Sequence, residues 1–187
     1  MDHQLDYLLA AYCSPTLAGI KTASLVSFDR MQYPNLPQQL HIYQTAFAAR
    51  GIRFEVLCAC RGRFLLLVYH REQLEQRMTD ARVQRVLTKF GYPVDAPLET
   101  LLDGLRCRIA AQPGFPHEIG LFLGYPIEDV MGFIRNEGRG CKLCGYWKVY
   151  GDAEAATRLF DRLSRVCHAV KTRVEQGETL LEVFAAA

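Results

Sequence analysis

The sequence predicts an α+β (mixed α/β) fold: a single domain over 1–187, with a mixed sheet of about five strands, a hairpin at 53–70, and helices covering the sheet. Two kinds of hydrophobic period and their order along the chain lead to it. Leu36, Leu40, Tyr43 and Phe47 recur at helical spacing and form one apolar stripe. Phe54, Val56, Cys58 and Cys60 alternate as a strand does, and Phe64–Tyr69 follows as an almost unbroken apolar run of strand length. Strand-like and helix-like stretches then succeed one another to the end of the chain, a pattern that lays helices on a sheet.

Asp2–Tyr12 reads as a short helix, and Ser14-Pro15 as an N-cap with proline at the first helical position, leading into a brief turn and a strand at about Ala23–Phe28. Asn35–Gly51 is a helix with Asn35 as cap, Pro37 tolerated in the first turn and Gly51 as the left-handed stop. Arg61-Gly62 supplies the turn of the hairpin, whose second strand is apolar enough to be central. Helices follow at about Gln73–Phe90, broken near Thr79, and at Leu98–Ala111, separated by Gly91-Tyr92-Pro93. Ile119–Leu123 reads as a strand, Pro126–Glu137 as a helix, Leu143–Tyr150 as a strand and Ala153–Glu175 as a long helix. In that last helix Ala156, Leu159, Phe160, Leu163, Cys167 and Val170 make the core stripe, and Leu180–Phe184 adds a short terminal helix.

Composition excludes several classes of function. Half of the residues are apolar and 22% charged, ordinary globular usage that speaks against disorder. Lys plus Arg numbers 22 against 20 for Asp plus Glu, with no basic stripe, so nucleic acid is not an expected partner; Arg61 and Arg63 read as solvated turn residues. Asp2 and Asp6 at the N-terminus, with no cationic start, fail the pattern of a signal peptide. The longest apolar runs, FLLLVY and IGLFLGYP, fall short of the ~18 residues a membrane span needs, so no membrane is expected. Seven cysteines without an export signal fit a reducing cytoplasm better than a disulfide framework.

From Pro116 to Ala156 the chain reads PHEIGLFLGYPIEDVMGFIRNEGRGCKLCGYWKVYGDAEAA, and near its start CSPTLAGIKTASLVSF. With these strings the chain, over nearly its whole length, resembles an uncharacterised bacterial domain-of-unknown-function family found mainly in anaerobic Firmicutes. The resemblance implies a stand-alone bacterial cytoplasmic protein and brings no activity, cofactor or catalytic residue with it.

The most chemical-looking string is Cys141-Lys142-Leu143-Cys144-Gly145-Tyr146, which locally resembles the metal knuckle of rubredoxins and zinc ribbons. A four-cysteine site needs a second pair, and Cys58-x-Cys60, sharing one strand face, is the pair available; zinc or iron would be its ion. Plain buried or surface cysteines are the preferred alternative. A thioredoxin-like role is weaker, because that chemistry uses a CxxC at the start of a helix and this one opens a strand.

On the expected 143–150 strand, Leu143, Gly145, Trp147 and Val149 share one face and Cys144, Tyr146, Lys148 and Tyr150 the other. A lysine between two tyrosines is suited to an anionic ligand or a ring system, although an ordinary amphipathic strand with Lys148 reaching to water is the preferred explanation of the pattern. Strand–Gly124–helix invites a phosphate-site reading, but no GxGxxG or GxxxxGK[ST] string is present, and Glu128 and Asp129 in the first turn of the helix would repel phosphate. His117-Glu118 is not followed by HExxH, and neighbours on a strand face apart, so His117 reads as a surface histidine. His168 lies off its helix's apolar stripe. Cys13 is the thiol best placed to feel a helix N-terminus, with no assignable histidine partner.

The preferred reading is a non-catalytic module that binds a small molecule or a protein partner through residues 117–150, with Tyr125, Tyr146, Lys148, Tyr150 and His117 as ligand-binding residues. It leads because each enzymatic signature fails, and an apolar pocket with Tyr125, Lys148 or Tyr150 at its mouth would favour it. The alternatives are a metal or iron–sulfur protein using Cys58, Cys60, Cys141 and Cys144, and a thiol-dependent enzyme of unrecognised type using Cys13 or Cys144.

Overall fold

Ser14 makes the first difference between expectation and structure. Its hydroxyl donates to the carbonyl of Ala10 at 2.5 Å, so it bonds back into the first helix instead of capping a second. One helix, α1 (His3–Leu17), therefore runs through Pro15. The computed structural model describes residues 3–60, 62–111 and 114–185; Asp2 of the expected first helix and Arg61 of the expected hairpin turn lie outside them. The chain forms two compact units, Met1–Arg71 with Arg162–Ala187, and Glu72–Asp161.

In the first unit α1 is followed by β1 (Ala23–Asp29) and α2 (Leu36–Phe47), with all four residues of the expected α2 stripe buried. A 3₁₀ turn over Ala48–Arg50 ends at Gly51, whose φ of 70° is the left-handed stop read from the sequence. The hairpin then forms from β2 (Ile52–Cys60) and β3 (Arg63–His70). The sheet order is β1-β3-β2, which puts the most apolar strand in the middle. Val26, Phe28, Phe64, Leu66 and Val68 join α1, α2 and the C-terminal helix residues Leu180, Val183 and Phe184 in one buried cluster. Tyr43 in this cluster donates its hydroxyl to the buried carboxylate of Asp6 at 2.7 Å.

A register shift between Val56 and Cys58 changes which way the β2 cysteines face. Phe54 and Val56 pair with the core residues Val68 and Leu66, whereas Cys58 and Cys60 pair with Leu65 and Arg63. The bulge thus turns both cysteines to the sheet face opposite Phe54 and Val56. Two residues apart on one face, with Cα atoms 5.5 Å apart, they bring their sulfur atoms side by side.

The second unit contains most of α3 (Arg71–Met78), then α4 (Ala81–Lys89), with the expected break at Thr79-Asp80, where Asp80 caps α4 by accepting from the Arg82 amide at 2.7 Å. Next come α5 (Leu98–Ala111), α6 (Ile119–Phe122), α7 (Ile127–Arg135), β4 (Leu143–Cys144) and β5 (Lys148–Val149). The expected strand at Ile119–Leu123 is helical. Its apolar residues are buried on every side, a condition under which periodicity does not separate strand from helix. The expected strand at Leu143–Tyr150 is a two-stranded hairpin, because Gly145 N–H donates to the Trp147 carbonyl at 3.1 Å and closes a turn there.

Helix α8 (Ala153–Glu175), with the expected bounds, passes from the second unit to the first, and α9 (Leu180–Ala185) ends the chain. Among the described residues the strands form two separate sheets and every pairing is antiparallel. This corrects the single mixed sheet of about five strands; the helix-rich α+β character stands.

Cys13 sits late in α1, fully buried, not at a helix start. Burial pushes its thiol up to about 12 against the opposing pull of Lys21, so thiolate chemistry is suppressed. In the folded protein at pH 8, a thiol reagent read by peptide mass spectrometry should label the exposed Cys107 and Cys144 and leave Cys13 unmodified until denaturant is added. Labelling of native Cys13 at the rate of Cys144 would contradict this placement.

Candidate functional site

Asp129 organises the second unit's aromatic region. It lies in the first turn of α7 but is only 3% exposed, unlike its exposed neighbour Glu128. One carboxylate oxygen accepts the Trp147 indole N–H at 2.7 Å. The other accepts the amides of Tyr150 at 2.7 Å and Gly151 at 2.8 Å. A buried carboxylate is tolerated when such donors surround it. Here they tie α7 to the β4–β5 hairpin and fix the plane of Trp147.

Against that fixed indole Tyr125 stacks with ring centroids 4.6 Å apart and planes 24° apart, and Phe160 meets it edge-on at 4.6 Å. Small residues make the approach possible. A Cβ on Gly145 would overlap the Phe160 ring, and one on Gly120 would come within 2.8 Å of Val130. The Tyr125 carbonyl accepts a hydrogen bond from Arg77 at 2.5 Å, and burial raises the tyrosine's own hydroxyl above its ordinary value.

The result is a cavity of about 420 Å³. Its walls are Ile119, Gly120, Leu123, Tyr125, Val130, Phe133 and Trp147, with Phe115, His117 and Tyr146 at its exposed side and Asp129, Cys144, Gly145 and Lys148 completing it. Lys148 donates to the Gly138 carbonyl at 2.7 Å, and its ammonium stands 5.8 Å from the Phe133 ring centre. His117 lies 4.8 Å, ring to ring, from the same phenylalanine.

Four of the five expected ligand-binding residues, Tyr125, Tyr146, Lys148 and His117, line this one cavity. Tyr150 does not; its ring lies across Gly132, where any Cβ would overlap it. Its hydroxyl is buried without a hydrogen-bond partner among the described residues, and burial followed by nearby Cys141 raises it. The expected two-faced strand is also corrected: the turn at 145–147 lets Trp147 and Lys148, assigned to opposite faces, line the same space. Asp129, Trp147, Phe133 and Phe115 are among the lining residues that the candidate set lacked. The signal available for Trp147 was its place in Gly145-Tyr146-Trp147, a turn-forming string rather than a strand interior.

His117 and Glu118 part company as expected, though on a turn rather than a strand. Glu118, 2% exposed, is ion-paired to Arg108 Nε and accepts the Tyr92 hydroxyl at 3.3 Å. Burial and this carboxylate raise the Tyr92 hydroxyl. Among the cysteines, Cys141 and Cys144 are free and Cys144 faces the cavity. Among the described residues no group of three or more His, Cys, Asp or Glu is gathered so that it could hold a metal ion.

The model of the family described as a protein of unknown function, DUF3793, matches residues 9–184. No curated protein and no solved structure matches the chain. No helix among the described residues is long and apolar enough to cross a membrane.

Replacing Asp129 by Asn keeps an acceptor for the two amides but turns an NH₂ group toward the Trp147 N–H or leaves that donor unmatched. The expected cost is about 1–3 kcal/mol of stability, seen as a lower urea midpoint and a red-shifted tryptophan emission. An unchanged midpoint and spectrum would show that the carboxylate does not hold the hairpin.

Proposed function

The chain belongs to this family of unknown function, so its activity is read from its own geometry, and we propose that it is a binding module that takes a small, ring-bearing molecule in the pocket around Trp147. The observation that carries the reading is the fixed Tyr125–Trp147 stack inside a cavity of about 420 Å³. Pockets of roughly 300–1,000 Å³, mostly apolar and aromatic with a few placed polar groups, are the usual form of small-molecule sites. Phe115 and Tyr146 add rings at the open side, 45% and 39% exposed, with uncovered surface for a ligand to bury. Trp147, pinned at its N–H and against Tyr125, is already ordered, so a ring packing on it costs little further entropy. A bacterial cytoplasmic setting, as found mainly in anaerobic Firmicutes, is part of the same proposal.

Trp147 is the chain's single tryptophan, so its emission reports on the surroundings of this one side chain. Titration with a panel of planar ring compounds should shift or quench that emission for at least one member at sub-millimolar concentration and raise the melting temperature in parallel. Tyr125→Ala should weaken that binding about tenfold, the effect of losing one aromatic packing partner. A panel with no effect on emission or melting of the folded protein would overturn the reading.

A further inference from the structure

Resting on that pocket, we infer that its ligand carries a single carboxylate, held by Lys148. Among the described residues the pocket lining contains one ammonium, Lys148, and one carboxylate, Asp129. They are not equally available. Asp129 is buried and engaged by the Trp147 indole and the amides of Tyr150 and Gly151. Lys148 is half-buried, and its bond to the Gly138 carbonyl uses one of the three donors an ammonium carries. The charge offered to an occupant is therefore positive, and a cationic ligand would meet it without a free carboxylate to answer.

The ammonium is also held in place. Gly138 has a φ of 75°, in the left-handed region, and a Cβ there would lie 3.1 Å from the Phe133 ring and 3.4 Å from Lys148 Nζ. The carbonyl that receives Lys148 is thus set by a backbone conformation that side chains rarely adopt. The cross-strand pairing of Cys144 with Lys148 fixes the other end of the side chain. A preorganised cation beside an aromatic wall suits a ring with an acid substituent, which can lie on Trp147 and reach Lys148 at once.

A phosphate is served worse. Among the described residues no arginine lines the cavity. The nearby α7 N-terminus is preceded by Pro126, which has no N–H, and carries Glu128 and Asp129 in its first turn. One point charge without a guanidinium fork or a cradle of free amides matches a monoanion better than a phosphate ester near two negative charges.

Isothermal titration calorimetry on the full chain with 2-naphthoate, neutral 2-naphthamide and 2-naphthyl phosphate separates the possibilities. The inference requires naphthoate to bind at least about tenfold more tightly than the amide, and the phosphate to bind no more tightly than naphthoate. Lys148→Met should bring naphthoate down to the affinity that the same variant shows for the amide; Lys148→Gln, with melting followed for both, guards against a folding defect. Equal binding of naphthoate and amide, unaltered in both variants, would overturn the carboxylate and leave the pocket standing. Tighter binding of the phosphate would overturn it in favour of a phosphate ester. Failure of all three to bind the folded protein would overturn the pocket reading itself.

Discussion

A buried carboxylate is the constraint on which the second unit's site depends. Asp129 is costly to remove from water, and three donors offset that cost: one indole N–H and two consecutive backbone amides. The amides belong to the segment leaving β5, and the indole belongs to the turn before it, so one side chain of α7 holds both ends of β5. The packing of rings around Trp147 follows from the indole plane being fixed. Tyr125 stacks on it, Phe160 closes its edge, and the glycines at 120, 132 and 145 provide space that a Cβ would fill. These glycines serve close packing, not a phosphate loop.

The first unit is built on a different principle. Its three-stranded sheet buries Phe64, Leu66 and Val68 from the central strand together with α1, α2 and α9. Its buried carboxylate, Asp6, is answered by the Tyr43 hydroxyl within the core. The thiols follow the same division. Cys13 is sealed in the core with its ionisation suppressed, whereas Cys144 is exposed and lines the pocket.

Elements with a single clear period were legible in the sequence. The α2 stripe, the 53–70 hairpin with its central strand, the break at Thr79-Asp80 and the bounds of α5 and α8 needed only local rules. Three features were not, each for a physical reason. Ile119–Leu123 is buried all round, so its hydrophobicity carries no phase. Ser14 had a choice between capping and bonding back, and Ala10 in the same helix won. The β2 bulge adds one residue and reverses the face of Cys58 and Cys60, which no local pattern announces. For the site, the residue types of 117–150 named four of the residues that line the cavity. Asp129 read as a helix-end carboxylate because its true partners lie 18 to 22 residues along the chain. Long-range polar bonds of this kind leave no periodic trace.

The most direct measurement is native-state hydrogen exchange at the three donors, the Trp147 indole N–H and the amides of Tyr150 and Gly151. If the Asp129 carboxylate holds all three, they should exchange far more slowly than in an unfolded chain and share one opening free energy, because a single event releases them together. Exchange at unprotected rates, or three unrelated opening free energies, would show that the carboxylate is not the common anchor and that the pocket is held some other way.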